Sequence, residues 1–235
     1  MAESAERDSH SAPFQAVLKG AFELHNAGRP AEAERICRSL LRQNPHDRQL
    51  LFLWGMVLQS TGRSREARQH LEAAAALHPQ SARIYNALGF VHLHLKNPAR
   101  AAACYERALE LGLREANTYY SLGNACHQLG EVERAMRSFQ AATALAPQDA
   151  ATWNNLGKCW QDLNRLEESL AAYDRALALD PQYTLARYGR ALSLLTAGRW
   201  LEGFREYNHS RRQGIKPRQF PQPAWQGEPI PDRTL

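Results

Sequence analysis

Cys126 and His127 are the residues of this 235-residue chain whose types come nearest to a nucleophile and its base. As helix neighbours their side chains diverge by about 100°, so no thiolate–imidazole pair forms. His92 and His94 carry metal-ligating nitrogens, but two residues apart on a helix they point to different faces, and two imidazoles alone hold a metal poorly. His92 is expected to be a packed core histidine. Cys37, Cys104, Cys126 and Cys159 show no C-x-x-C spacing, which predicts buried reduced thiols rather than a zinc site or a disulfide framework. Glu167 and Glu168 fall on an exposed turn, where solvation accounts for them. The signatures G-x-x-x-x-G-K-[ST], G-x-S-x-G and H-E-x-x-H do not occur. No catalytic residue, cofactor or metal is therefore expected, and the chain reads as a non-enzyme.

What organises these residues is a period of 34. Gly28, Gly62, Gly130 and Gly198 lie on it, with Lys96 and Asn164 at the remaining points. A second lattice carries Ala33, Ala67, Ala101, Ala135, Ser169 and Gly203, all small. A third carries Cys37, Leu71, Tyr105, Phe139, Tyr173 and Tyr207, and a fourth Pro45, Pro79, Pro147 and Pro181, with Leu113 as the exception. In register these describe a helix, a tight turn, a second helix and a proline stop. Glycine suits the left-handed position that ends the first helix, and asparagine is a mild replacement there. Small residues at Gly55, Gly89, Gly123 and Gly157 let the two helices approach closely, and the large third-lattice residues are expected to fill the space between successive hairpins.

Composition bounds the partners. The 44% hydrophobic content is ample for a core, and charged residues interrupt every apolar stretch, so no membrane span is expected. The first dozen residues lack the basic and apolar regions of a secretory signal, which points to the cytoplasm. A net charge of +5 spread along the chain does not make a nucleic-acid surface.

The pattern resembles the tetratricopeptide repeat. Trp153, Leu156, Gly157, Trp160, Tyr173, Ala176 and Pro181 match its signature best, followed by Tyr85, Leu88, Gly89 and by Tyr119, Leu122, Gly123. The resemblance implies an all-α, right-handed superhelical α-solenoid of about six helix-turn-helix repeats. On this reading residues 1–13 are a disordered N-terminus, residues 14–213 an array with units starting near 14, 48, 82, 116, 150 and 184, and residues 214–235 a proline-rich linker. Arg190 and Gly203 stand where leucine and alanine are usual, as if the sixth unit were adapted to a neighbouring domain.

The resemblance also implies a concave wall built from the first helix of each unit, where a protein or extended peptide would lie. Carried over by register, its residues are Phe52, Arg83, Asn86, Phe90, Asn117, Tyr120, Asn124, His127, Asn154, Asn155, Lys158, Gln161 and Tyr188. Amides can pair with a peptide backbone while aromatic rings cover its side chains. Of the carboxylate clamp of chaperone-binding relatives, Asn124 and Asn155 fit, but Tyr120, Leu185 and Gly189 replace its cations. The asparagine ladder of sugar-transferring relatives survives only at Asn155.

The tail carries five prolines between Pro217 and Pro231. From Trp200 through Trp225, Gly227 and Pro229 to Arg233, Thr234 and Leu235 it resembles the junction of bacterial proteins that join these repeats to a glycosyltransferase domain. That resemblance implies a partner-recognition module of a larger transferase. The alternative is a stand-alone scaffold assembling through a sticky end at Trp200, Phe204 and Tyr207. The oligomeric state is not legible.

Overall fold

The computed structural model describes residues 12–212, and the expectations for the N-terminal dozen and the proline-rich tail lie outside the described residues. Twelve α-helices, and no strands, fill that span. They are α1 (Ala12–Asn26), α2 (Pro30–Gln43), α3 (Arg48–Ser60), α4 (Ser64–Leu77), α5 (Ala82–His94), α6 (Pro98–Glu110), α7 (Ala116–Gln128), α8 (Val132–Leu145), α9 (Ala150–Asp162), α10 (Leu166–Leu179), α11 (Thr184–Thr196) and α12 (Trp200–Arg212). Consecutive helices pack as hairpins. The described residues divide into two compact units, one up to Ala142 and the other from Thr143 onward.

The turn inside every hairpin is the same object. Gly28, Gly62, Gly130 and Gly198 adopt positive φ, and so do Lys96 at 58° and Asn164 at 57°. The amide of the next residue then reaches back five positions, as in Arg63 N–H to Leu58 O at 2.8 Å, Asn97 to His92 at 2.9 Å and Arg165 to Trp160 at 2.8 Å. These bonds satisfy carbonyls that the ending helix would leave orphaned. Leu113, the break in the proline lattice, has the same explanation. Gly112 turns left-handed at φ 93° and the Leu113 amide donates to Ala108 O at 3.0 Å, a bond that proline could not make.

Helix starts are fixed locally. Asp47 accepts from the Leu50 amide at 2.8 Å, Asn97 from Arg100 at 3.2 Å, and Asp149 from Ala151 and Thr152. Pro30 and Pro98 open α2 and α6, where the missing amide costs nothing.

In the first unit the core runs through Leu18, Leu50, Leu53, Trp54, Leu58, Leu71, Ile84 and Val91. Each first-helix glycine lies against the large residue sixteen positions later. A methyl at Gly55 would meet Leu71 at 2.4 Å, at Gly89 Tyr105 at 2.7 Å, and at Gly123 Phe139 at 2.6 Å. The third lattice therefore seats its side chains on the glycine of their own hairpin, rather than only between hairpins. Tyr173 of the second unit does both, since a methyl at Gly157 would press tightly on its ring at 3.0 Å and one at Gly189 of the following hairpin would stand 2.4 Å from it.

The second unit has its own core around Tyr173, Ala176 and Ala186. Ser169, the hydroxyl on the small-residue lattice, is buried but satisfied: its Oγ donates to Gly157 O at 2.9 Å and lies 2.9 Å from Ser193 Oγ. The exceptions in the last hairpin also have internal causes. Arg190 pairs with Asp174 at 2.6 Å and with Glu206 at 3.2 Å, and Gly203 makes room for Leu195.

Candidate functional site

In the first unit, α3, α5 and α7 alternate fully buried positions with half-buried or exposed ones, and the candidate residues occupy the latter. Phe52, Asn86, Phe90 and Asn117 come together, with Met56, around a cavity of about 270 Å³. Leu71 and Tyr105 from the second helices form its floor, and His25 and Ser121 stand at its edges. Phe90, 44% exposed, lies against His94 with ring centroids 4.6 Å apart. Asn86 Oδ1 accepts from Thr118 Oγ1 at 3.2 Å, which fixes the amide and leaves its Nδ2 hydrogens as donors.

Tyr105 is the polar group that sequence reading missed. It is 1% exposed, and its hydroxyl has no hydrogen-bond partner of normal geometry, although Ser121 faces it. Burial pushes its phenol up to about 12, with hydrogen bonding from Ser121 pulling the other way. The equivalent Tyr173 of the second unit donates to Gln161 Oε1 at 3.1 Å. One period-shifted comparison explains the difference: the position of Gln161 is held by Leu93 in the Tyr105 hairpin, which offers no acceptor. His25 likewise has an unpartnered Nδ1, and burial lowers its pKa, so it stands as a neutral imidazole at neutral pH.

The other first-unit candidates lie elsewhere. Tyr120 packs edge-on against Phe139 at 5.9 Å, while Asn124 and His127 are half-buried further along α7. Arg83 lines a second cavity of about 580 Å³ that shares Phe52 with the first and adds Lys19, Phe22 and Arg48.

In the second unit, Asn154 Nδ2 donates to Asn155 Oδ1 at 3.1 Å, Lys158 is exposed, and Gln161 is committed to Tyr173. Tyr188 packs on Tyr207 at 5.8 Å. That contact leaves Tyr207 half-buried, whereas Trp200 and Leu201 of α12 are 61% and 66% exposed.

The thiols are all free. Cys37, Cys126 and Cys159 are buried, and Cys104, against expectation, is only half-buried. Desolvation raises Cys37 and Cys159 to about 12 and Cys104 to about 11, keeping them protonated and poor nucleophiles. His92 is buried in the core. Among the described residues no three His, Cys, Asp or Glu side chains are grouped to hold a metal ion, and no helix is long and apolar enough to cross a membrane.

The sequence matches tetratricopeptide repeat family models over residues 52–112, 97–150 and 150–183, a continuous span of more than half the chain. The chain belongs to the tetratricopeptide repeat family. No curated protein matches it. Among solved structures it is similar to YrrB, described as a tetratricopeptide repeat protein with an unusual peptide-binding site, at 19% identity and a TM-score of 0.70, covering 75% of this chain and 91% of that one. It is also similar to MamA, at 19% identity and a TM-score of 0.64 over 68% and 93% of the two chains. A thermophilic repeat protein of Thermus thermophilus aligns at 23% identity and a TM-score of 0.58, over 77% and 98%. At these identities the likeness concerns the fold.

Proposed function

We propose that the chain binds an extended polypeptide segment on the first-helix faces of its hairpins. The observation that carries this reading is the first-unit cavity, where Phe52 and Phe90 supply apolar walls and Asn86 and Asn117 supply amides. Ligand sites are typically concave and largely apolar with a few placed polar groups, which is the make-up of this cavity. The Asn154, Asn155, Lys158 and Tyr188 face of the second unit is a further set of contacts on the same reading. The likeness of the tail to a transferase junction supports placing this module beside a glycosyltransferase domain, to which it would bring a polypeptide.

The test is an array of synthetic octapeptides probed with the labelled full chain. Peptides bound by the native chain should lose at least about tenfold in affinity to the Phe90→Ala/Asn117→Ala variant, since these half-open side chains act through the ligand. Its melting temperature should stay within about 2 °C, as expected of surface changes. An empty array, or binding that the variant leaves intact, contradicts the reading.

Exposed Trp200 and Leu201 support a second reading, a scaffold that assembles through its last hairpin. Light scattering of the full chain decides it. A concentration-dependent oligomer dissolved by Trp200→Ser/Leu201→Ser supports assembly, and a monomer at all concentrations excludes it.

A further inference from the structure

We infer that the segment bound in the first unit is acidic, with its carboxylates read by Arg48 and Arg83 in the larger cavity and an adjacent uncharged side chain seated past Phe52 in the smaller one. This rests on the peptide-binding reading and adds the chemical class of the ligand.

The larger cavity, about 580 Å³, is lined by three cations, Lys19, Arg48 and Arg83, and by the rings of Phe22 and Phe52, whose centroids are 6.4 Å apart. Lys19 is 3.9 Å from Glu23, a loose pair, but among the described residues neither Arg48 nor Arg83 has an ion-pair partner. The turn arginines behave differently: Arg29, Arg63 and Arg199 each lie within 2.6 Å of the glutamate three residues on. Asp47 does not neutralise its neighbour Arg48 in the same manner, because its carboxylate caps α3 at the Leu50 amide. Ser81 adds a hydroxyl that takes no part in capping α5.

Two guanidinium groups at one cavity can each hold a carboxylate in a forked pair, and the apolar floor strengthens the attraction relative to open solvent. The neighbouring cavity is chemically distinct. Asn86, Asn117 and the Tyr105 hydroxyl bring no formal charge, and His25 is neutral at physiological pH. Phe52 lines both, so one extended segment crossing it would place charged residues on one side and an uncharged one on the other. These cations lie on α1, α3 and α5.

The experiment uses fluorescence anisotropy with the full chain and two labelled octapeptides, one with three glutamates beside a phenylalanine and one with glutamines in their place. At about 50 mM NaCl the glutamate peptide should bind at least about tenfold tighter, with the advantage shrinking at about 500 mM, where screening is strong. Arg48→Gln/Arg83→Gln should erase the difference by bringing the glutamate peptide down to the affinity of the glutamine peptide. Equal affinities, or a preference that survives the double variant, overturn the inference but leave the groove reading intact. If neither peptide binds while the array yields others, the inference falls alone. If the array is empty as well, both fall.

Discussion

Gly89 of α5 lies under the ring of Tyr105 of α6 so closely that a methyl group on it would stand 2.7 Å from Cε1. The same residue pair thus sets the spacing of the third hairpin and positions the hydroxyl at the floor of the cavity. Gly89→Ala must displace a ring that is almost fully enclosed, and overpacking of this kind costs about 1–3 kcal/mol. Chemical denaturation should show that loss. Gly20→Ala, where nothing lies within 4 Å of the added methyl, should show none.

Tyr105→Phe removes an orphaned hydroxyl without changing the shape of the ring. Its burial without a partner costs about 1–3 kcal/mol, so the variant should be as stable as the native chain or more so, by up to about 1 kcal/mol, in thermal unfolding. Tyr173→Phe should do the reverse, because it strips Gln161 of its donor. A drop in stability for Tyr105→Phe would mean that the hydroxyl is bonded in solution.

Lys96 holds a left-handed backbone at φ 58° where four of the other five hairpins use glycine. Relief of about 1–2 kcal/mol of conformational strain, offset by the greater unfolded-state freedom of glycine, leaves Lys96→Gly more stable by about 0.5–1 kcal/mol. Asn164→Gly should gain less, since asparagine tolerates this region. Urea midpoints of the two variants give the comparison directly.

Burial lowers the pKa of His92 below 6.5, aided by Arg68 and Arg100 and opposed by Glu72. The unfolded chain therefore binds a proton that the folded chain refuses. The stabilisation from the neutral imidazole is complete above about pH 6.5 and is lost as pH falls below it toward the folded pKa. Stability measured between pH 7 and pH 5 should fall less steeply in His92→Gln than in the native chain. Identical slopes would remove His92 as a source of acid sensitivity.

The hairpins are legible because period, small residues and turn glycines are local properties of the sequence. Register alone assigns Lys96 and Asn164 to left-handed turns, and both adopt them. Arg190 is not legible: its two partners come from neighbouring helices, and no local pattern announces a bridge between Asp174 and Glu206. The cavity is half legible. Register brings Phe52, Asn86, Phe90 and Asn117 to one face, but Tyr105 reads only as a core aromatic, and its lost partner shows only when Leu93 is compared with Gln161. Register also puts Tyr188 on the wall, whereas its packing on Tyr207 depends on an aromatic pair formed across the last two helices.

Photo-crosslinking tests the central claim most directly. A peptide selected on the array, carrying a photoreactive phenylalanine analogue, is irradiated with the full chain and its adducts are mapped by mass spectrometry. First-helix binding predicts adducts on α3, α5 and α7 near Phe52, Phe90 and Asn117, lost when unlabelled peptide competes. Competable adducts confined to the second helices, or to Trp200 and Leu201 of α12, would contradict it.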